Sequence, residues 1–348
     1  MLLAWFCLVA GMLAAYVVLD GFDLGIGALH LRLARTDQER RMLIRSIGPV
    51  WNGNEVWLIA GGGTLYFAFP RLYASAFSGF YLPLTIVLWL LIFRGVGLEL
   101  RMHLQSRVWR DLFDGIFSFS SFLLALMYGA ALGNVLRGVP LNSEGYFFLP
   151  LWTDWRPGPQ PGVLDWYTAL AGMTAVAALM LHGALYAALK TTGELNQRAR
   201  RFAARLWWLV AVLTPVSLLA SLAVRPSLLD NYQRYPWLYG IPIVVVLSLI
   251  FIRLGNAQSQ ERKAFLSCSL YLAALLLGAA AAVYPNLLLS TTDPGLNLTV
   301  YNAHSGHHAL AVGLIWWSLG MAIAIGYFVV IYRMFAGKVS AEAADHGY

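Results

Sequence analysis

Several mostly apolar stretches of 18 or more residues run through this chain, and no other feature limits its fold so tightly. A stretch of that length matches the hydrocarbon core of a bilayer, about 30 Å thick. Inside lipid the backbone must satisfy its own hydrogen bonds, so each stretch is expected to be helical. Composition points the same way: 59% of the 348 residues are hydrophobic and 12% charged, about half the roughly 25% charge of an ordinary soluble domain. We read an all-α polytopic membrane protein, a single integral membrane domain over residues 1–348, with nine transmembrane helices. They fall at about 2–31, 50–69, 74–98, 115–137, 163–190, 204–224, 236–253, 263–289 and 309–334. The first lacks a basic region before its apolar run and continues to about Leu31, so it is a retained span and not a cleaved signal peptide. The second is the most polar, "VWNGNEVWLIAGGGTLYFAF", and needs protein rather than lipid beside its Asn52, Asn54 and Glu55.

The loops orient these spans. Arg32, Arg35, Arg40, Arg41 and Arg45 follow span 1, and Arg101, Arg107 and Arg110 follow span 3. Lys190, Arg198, Arg200, Arg201 and Arg205 follow span 5; Arg253, Arg262 and Lys263 follow span 7; Arg333 and Lys338 lie in the tail. Only Arg71 lies between spans 2 and 3. The positive-inside rule therefore places the N-terminus outside and the C-terminus in the cytoplasm. The net charge of +7 is thus a topology signal, not a nucleic-acid surface. Cys7 and Cys268 lie far apart in apolar segments, with no Cys/His spacing that would hold a metal. The proline-rich stretch from Arg137 to Gly162 is expected to form an irregular external cap.

Within this frame the polar residues become informative. In "VVLDGFDLGIG", Asp20 and Asp23 are three residues apart and share a helix face. Asp23 sits about eight residues, roughly 12 Å, above the cytoplasmic end, and Asp20 about one turn deeper. Insertion of a charged aspartate near the midplane costs about 2.5–3.5 kcal/mol, so both must face protein or water. Asn52, Asn54 and Glu55 open span 2 from the same side, and Arg94, Glu99 and Arg101 close span 3 there. Two accounts of the aspartates stand: hydrogen bonding to neighbouring helices, or a proton or ion path from the cytoplasm. For Arg94 and Glu99 an ion pair holding helix ends is the simpler expectation. Gly21 and Gly25 form a small-xxx-small pair for close helix approach, and Gly61, Gly62 and Gly63 either do the same or permit a local break. His182 is the one deep histidine, and a hydrogen-bonded structural role suits it better than ligation. Trp51, Trp57, Trp207, Trp208, Trp237, Trp316 and Trp317 mark span ends as interface anchors.

The residues also resemble a known family, subunit II of cytochrome bd-type quinol oxidases. The resemblance is carried by "LDGFDLGIG", by "RRMLIRSIGPVWNGNEVWLIAGGGTLYFAFPRLYASAFSGFYLPL" and by "FRGVGLELR". It continues in order through "GNVLRGVP", "HGALYAALKTTGEL", "YPNLLLS" and "LTVYNAHSGHHAL", so it covers essentially the whole chain. It implies two four-helix bundles plus one peripheral helix. It implies a heterodimer with subunit I, which carries haem b, haem d and the quinol site and reduces oxygen to water with cytoplasmic protons. This chain would bind no haem itself, would sit in a bacterial or archaeal cytoplasmic (inner) membrane, and could be joined by small single-span accessory subunits. The family's proton path maps onto Asp20 and Asp23. Where the family more often carries an aspartate, this chain has Asn52, which cannot take up a proton; Glu55, one turn along, is the replacement, or the partner carries the protons. The histidines of "HSGHH" are unusual for the family. The alternatives are a free-standing proton- or ion-coupled transporter using Asp20 and Asp23, and a scaffold in which they are structural.

Overall fold

A computed structural model describes residues 1–339; residues 340–348 of the expected domain lie outside the described residues. The chain is almost wholly helical. The first apolar run folds as α1 (Leu2–Leu19) and α2 (Gly21–Leu33), continuous through Asp20, whose N–H donates to the Tyr16 carbonyl and whose carbonyl accepts from Leu24. The basic segment after it is a helix, α3 (Asp37–Ile47), not a loop. Its start is written in the sequence as Thr36-x-x-Glu39: each side chain takes the other's backbone N–H in a capping box. Its apolar face, Met42, Leu43, Ile44 and Ile47, is buried.

Then come α4 (Trp51–Ala68), α5 (Pro70–Gly79) and α6 (Tyr81–Leu100). The third expected span therefore begins at Tyr81 and not at 74, because the chain turns at Phe80; Pro83 lies in the first turn of α6, where a missing N–H costs no helical bond. Next are α7 (Arg107–Arg137), α8 (Trp166–Lys190), α9 (Gly193–Val224), the short α10 (Asp230–Arg234), α11 (Gly240–Ala257), α12 (Glu261–Val283) and α13 (His307–Met334). The eighth expected span ends at Val283, not 289. Pro285 follows, and the chain turns into a small antiparallel pair, β1 (Asn286–Leu288) with β2 (Leu298–Thr299). Among the described residues, eight helical stretches are long and apolar enough to cross a membrane, so this is a multi-pass membrane protein. The expected second span, α4, is an unbroken 18-residue helix but is not among those eight, because Asn52, Asn54 and Glu55 crowd its first two turns.

Packing divides the helices. α8, α9, α11 and α12 contact one another in a closed ring, and α8 is the most enclosed apolar helix. α2 packs on α7 and α8, α6 runs along α7, and α1 lies along α4 and α12. α13 stays outside, with Leu310 its one buried residue among those described. The seam between α2 and α8 is as tight as backbone allows. A Cβ on Gly25 would come within 1.9 Å of the Leu179 carbonyl, and Gly183 meets Gly25 from the other side. Gly21 and Gly25 thus serve close approach as expected. The Gly61–Gly63 run does so only at Gly61, against Leu13 and Met12; nothing lies within 4 Å of a Cβ on Gly62 or Gly63, and the helix does not break there.

At the end away from the basic residues, residues 138–165 form the irregular cap. Val139 bridges to Ser290 and Trp152 to Leu164. Gly138 ends α7 at φ +99°, with a Cβ position only 2.9 Å from the Leu289 carbonyl, so only glycine suits that turn. Beneath it, Arg137 pairs with Asp165, the residue that caps α8 by accepting from the Tyr167 and Thr168 N–H groups.

Candidate functional site

The buried charge centres on Asp20. Arg94 of α6 reaches it with two hydrogen bonds, Nη1 to Oδ2 at 2.7 Å and Nη2 to Oδ1 at 2.6 Å. Both side chains are 0% exposed. The Tyr16 hydroxyl, one turn earlier on the same helix face, donates to Asp20 Oδ2 at 2.9 Å and lies 2.9 Å from the Tyr128 hydroxyl. Arg94 Nη2 also approaches Glu55 Oε2 at 3.4 Å, and its guanidinium lies 6.0 Å from the Trp51 ring centre. A two-toothed guanidinium–carboxylate pair fixes geometry as well as charge. Asp20 is therefore held, while Glu55, 22% exposed at its side chain, is the group of this set that reaches the surface.

A second set forms one turn along. Asn54 Nδ2 donates to Asp23 Oδ2 at 2.8 Å, and the Tyr332 hydroxyl donates to Asn54 Oδ1 at 2.8 Å. Asp23 Oδ1 is buried without a hydrogen-bond partner. So Asp20, Asp23, Asn54, Glu55 and Arg94 assemble as their shared depth implied. Asn52 does not: it is exposed, unlike the buried Asn54 two residues on. Glu99 is likewise exposed, and the expected Arg94–Glu99 ion pair is replaced by Arg94–Asp20. Tyr16, Tyr128 and Tyr332 were not singled out in sequence. Tyr16 had a signal there, its i−4 relation to Asp20; the other two come from distant helices.

Nearer the basic end, Arg101 leaves Arg94 and joins a separate network. It binds Asp114 at 2.5 Å through Nε and Asp37 at 2.8 Å through Nη2. Asp114 also meets His30 Nε2 at 2.6 Å and Arg40 at 3.0 Å, and Arg110 binds Asp37 at 2.8 Å. Burial tends to raise the Asp37 pKa, but its hydrogen bond from Arg101 and the charges of Arg101, Arg110 and Arg41 outweigh that and lower it. Glu39 behaves alike: burial raises it, and the Arg198 hydrogen bond and charge with backbone N–H groups bring it down. For Arg101, burial lowers and its two carboxylate partners raise, with the net effect upward.

Both buried histidines are engaged by protein groups. His182 donates Nε2–H to the Val18 carbonyl at 3.0 Å, stacks on Phe265 with ring centres 4.8 Å apart and meets the Phe22 ring edge-on. His30 is engaged with Asp114. Both are 0% exposed. The structural account of His182 is thus the one its contacts fit.

With the geometry in place, comparisons with known proteins are specific. The model of the family described as cytochrome bd terminal oxidase subunit II matches residues 1–335. The chain is 35% identical to cytochrome bd-I ubiquinol oxidase subunit 2 of Escherichia coli K12, over 97% of this chain and 95% of that protein. It is 30% identical to cytochrome bd ubiquinol oxidase subunit 2 of Bacillus subtilis, over 97% and 96%. Its fold matches a chain in the structure of the bd oxidase from Geobacillus thermodenitrificans with a TM-score of 0.76, at 18% identity, covering 96% of this chain and 98% of that one.

Proposed function

Because this chain belongs to the cytochrome bd terminal oxidase subunit II family, we propose that it is the haem-free subunit of a bd-type quinol oxidase and carries cytoplasmic protons toward its partner. Subunit I holds haem b, haem d and the quinol site and is where quinol electrons reduce oxygen to water; small single-span accessory subunits would complete the complex. α4 counts as a ninth span, the N-terminus lies outside the inner membrane, and the basic end carrying Arg40, Arg101 and Arg110 faces the cytoplasm. The arginine-rich loops support this orientation. Family membership favours this role over a free-standing transporter.

The observation that carries the proton path is the unequal pairing of the acids. Asp20 is held by three donors and acts as a fixed anion that orients Arg94. Asp23 has one buried oxygen without a partner, and Glu55 is half-open, touching the pair only at 3.4 Å. A proton carrier needs a free lone pair in one state and a place to release its proton in the next, which suits Asp23 and Glu55 and not Asp20. Asn54 and Tyr332 position Asp23; Asn52 takes no part, and Glu55 supplies the carboxyl that an amide cannot. Asp23→Asn and Glu55→Gln are expected to slow oxygen consumption by the purified complex at unchanged haem content. Full activity in the double variant would remove the path; loss of haem and partner together would make these acids structural.

A further inference from the structure

The histidines of the "HSGHH" segment have no part in that path, yet two of them meet. His304 lies in the turn between β2 and α13, and His307 is the first residue of α13. Their ring centres are 4.9 Å apart and their planes tilted by 38°. We propose that His304 and His307 form a surface site for a borderline divalent transition cation, zinc being the type case, with water completing the shell. With zinc–nitrogen bonds of about 2.0–2.1 Å and tetrahedral angles, two imidazoles on one ion hold their ring centres about 5 Å apart. The spacing found here needs little adjustment.

Two further features prepare the site. His304 Nδ1 lies 2.6 Å from the Ser305 carbonyl. A carbonyl can only accept, so that nitrogen carries the proton and Nε2 keeps its lone pair. This is the arrangement by which a hydrogen bond on one ring nitrogen selects the other for metal. The turn itself is pinned: Ser305 N–H donates to the Ala68 carbonyl at 3.0 Å, Ser305 Oγ to the Phe67 carbonyl at 2.5 Å, and Ala303 N–H to the Thr299 carbonyl at 3.1 Å. His304 is therefore presented from fixed backbone while His307 stands exposed beside it. The positive end of the α13 dipole opposes a cation, but weakly, since the site is open to water. Among the described residues no group of three or more His, Cys, Asp or Glu side chains could hold a metal, so the ion is held by two protein ligands and exchanges readily. His308, one residue further, projects roughly 100° around the helix from His307 and is not a ligand.

The test is zinc titration calorimetry on the purified two-subunit complex, isolated with a tag that contains no histidine. One zinc ion per copy of this chain should bind. His304→Gln and His307→Gln should each weaken it by at least the roughly 10–100-fold that losing even an outer-shell partner costs. His308→Gln should leave it unchanged, and the haem spectrum reports that each variant complex is intact. In the unmodified complex, zinc should also protect His304 and His307, and not His308, from diethyl pyrocarbonate, read by mass spectrometry. Absence of binding at millimolar zinc, equal loss in all three variants, or protection of His308 alone overturns the proposal.

Discussion

Replacing Arg94 with methionine is the sharpest test of how the membrane interior of this protein is held together. The substitution keeps a long, flexible side chain and removes two hydrogen bonds of 2.7 and 2.6 Å to Asp20. Hydrogen bonds to charged groups contribute about 1.5–3 kcal/mol each, and removing one partner of a buried pair costs about 3–5 kcal/mol because the other charge is left behind. With both side chains 0% exposed, no water can take over, so a cost of about 3–5 kcal/mol is expected. The assay is thermal unfolding of the purified complex, followed by the haem spectrum and by intrinsic fluorescence, on four proteins: the parent, Arg94→Met, Asp20→Leu and the double variant. Each single variant strands a fully buried charge, and the double variant leaves only Glu55, 22% exposed, without its contact to Arg94 at 3.4 Å. The double variant should therefore be more stable than either single one, recovering most of the loss. If Arg94→Met unfolds like the parent, or if the double variant falls by the sum of the single losses, the pair is not the internal anchor described here.

Other outcomes follow from contacts elsewhere. Gly183→Ala places a methyl group 2.3 Å from the Gly25 backbone and should abolish accumulation of the folded complex, whereas Gly62→Ala, with nothing within 4 Å, should be neutral or stabilising by up to about 1 kcal/mol; membrane yield and unfolding midpoint separate the two. Asp37 and Glu39 have folded-state pKa values below their unfolded ones. The stability they add is complete above the ordinary carboxylate range of about 4 and is lost as pH falls below it; an unfolding series from pH 7 to 3 should be flatter in Asp37→Asn. Tyr332→Phe leaves the Asn54 carbonyl oxygen short of a donor, costing about 1–3 kcal/mol, and should lower oxygen consumption less than Asp23→Asn does, as measured with an oxygen electrode.

The apolar helices were legible because lipid imposes one length and one backbone solution on each. That Asp20, Asp23, Asn54 and Glu55 come to one level was legible for the same reason, since position along a helix follows from counting residues. Partnership was not. The nearest acid beyond Arg94 in its own helix is Glu99, but five residues along a helix is about 140° around the axis, so Glu99 faces outward while Arg94 turns to a residue 74 positions away. Asp114 lies just before an apolar window, on a turn of α7 that hydropathy does not register. α3 carries its capping box in the sequence, but a short helix with one apolar face has no span-length apolar run to mark it. His308 is the neighbour of His307 in sequence, whereas the ring His307 meets belongs to His304, three positions back.

The contact between Gly25 and Gly183 bears on how such a machine can work. Two main chains pressed together without side chains between them form a weld, with no lubricating layer of rotamers to slide over. Transporters that expose a site alternately to either side rock one bundle against another, and rocking at this seam would pull apart the closest contact between α2 and α8. A proton path of the kind proposed above would therefore run past a standing seam here, as charge passed between stationary groups rather than cargo carried by shifting walls.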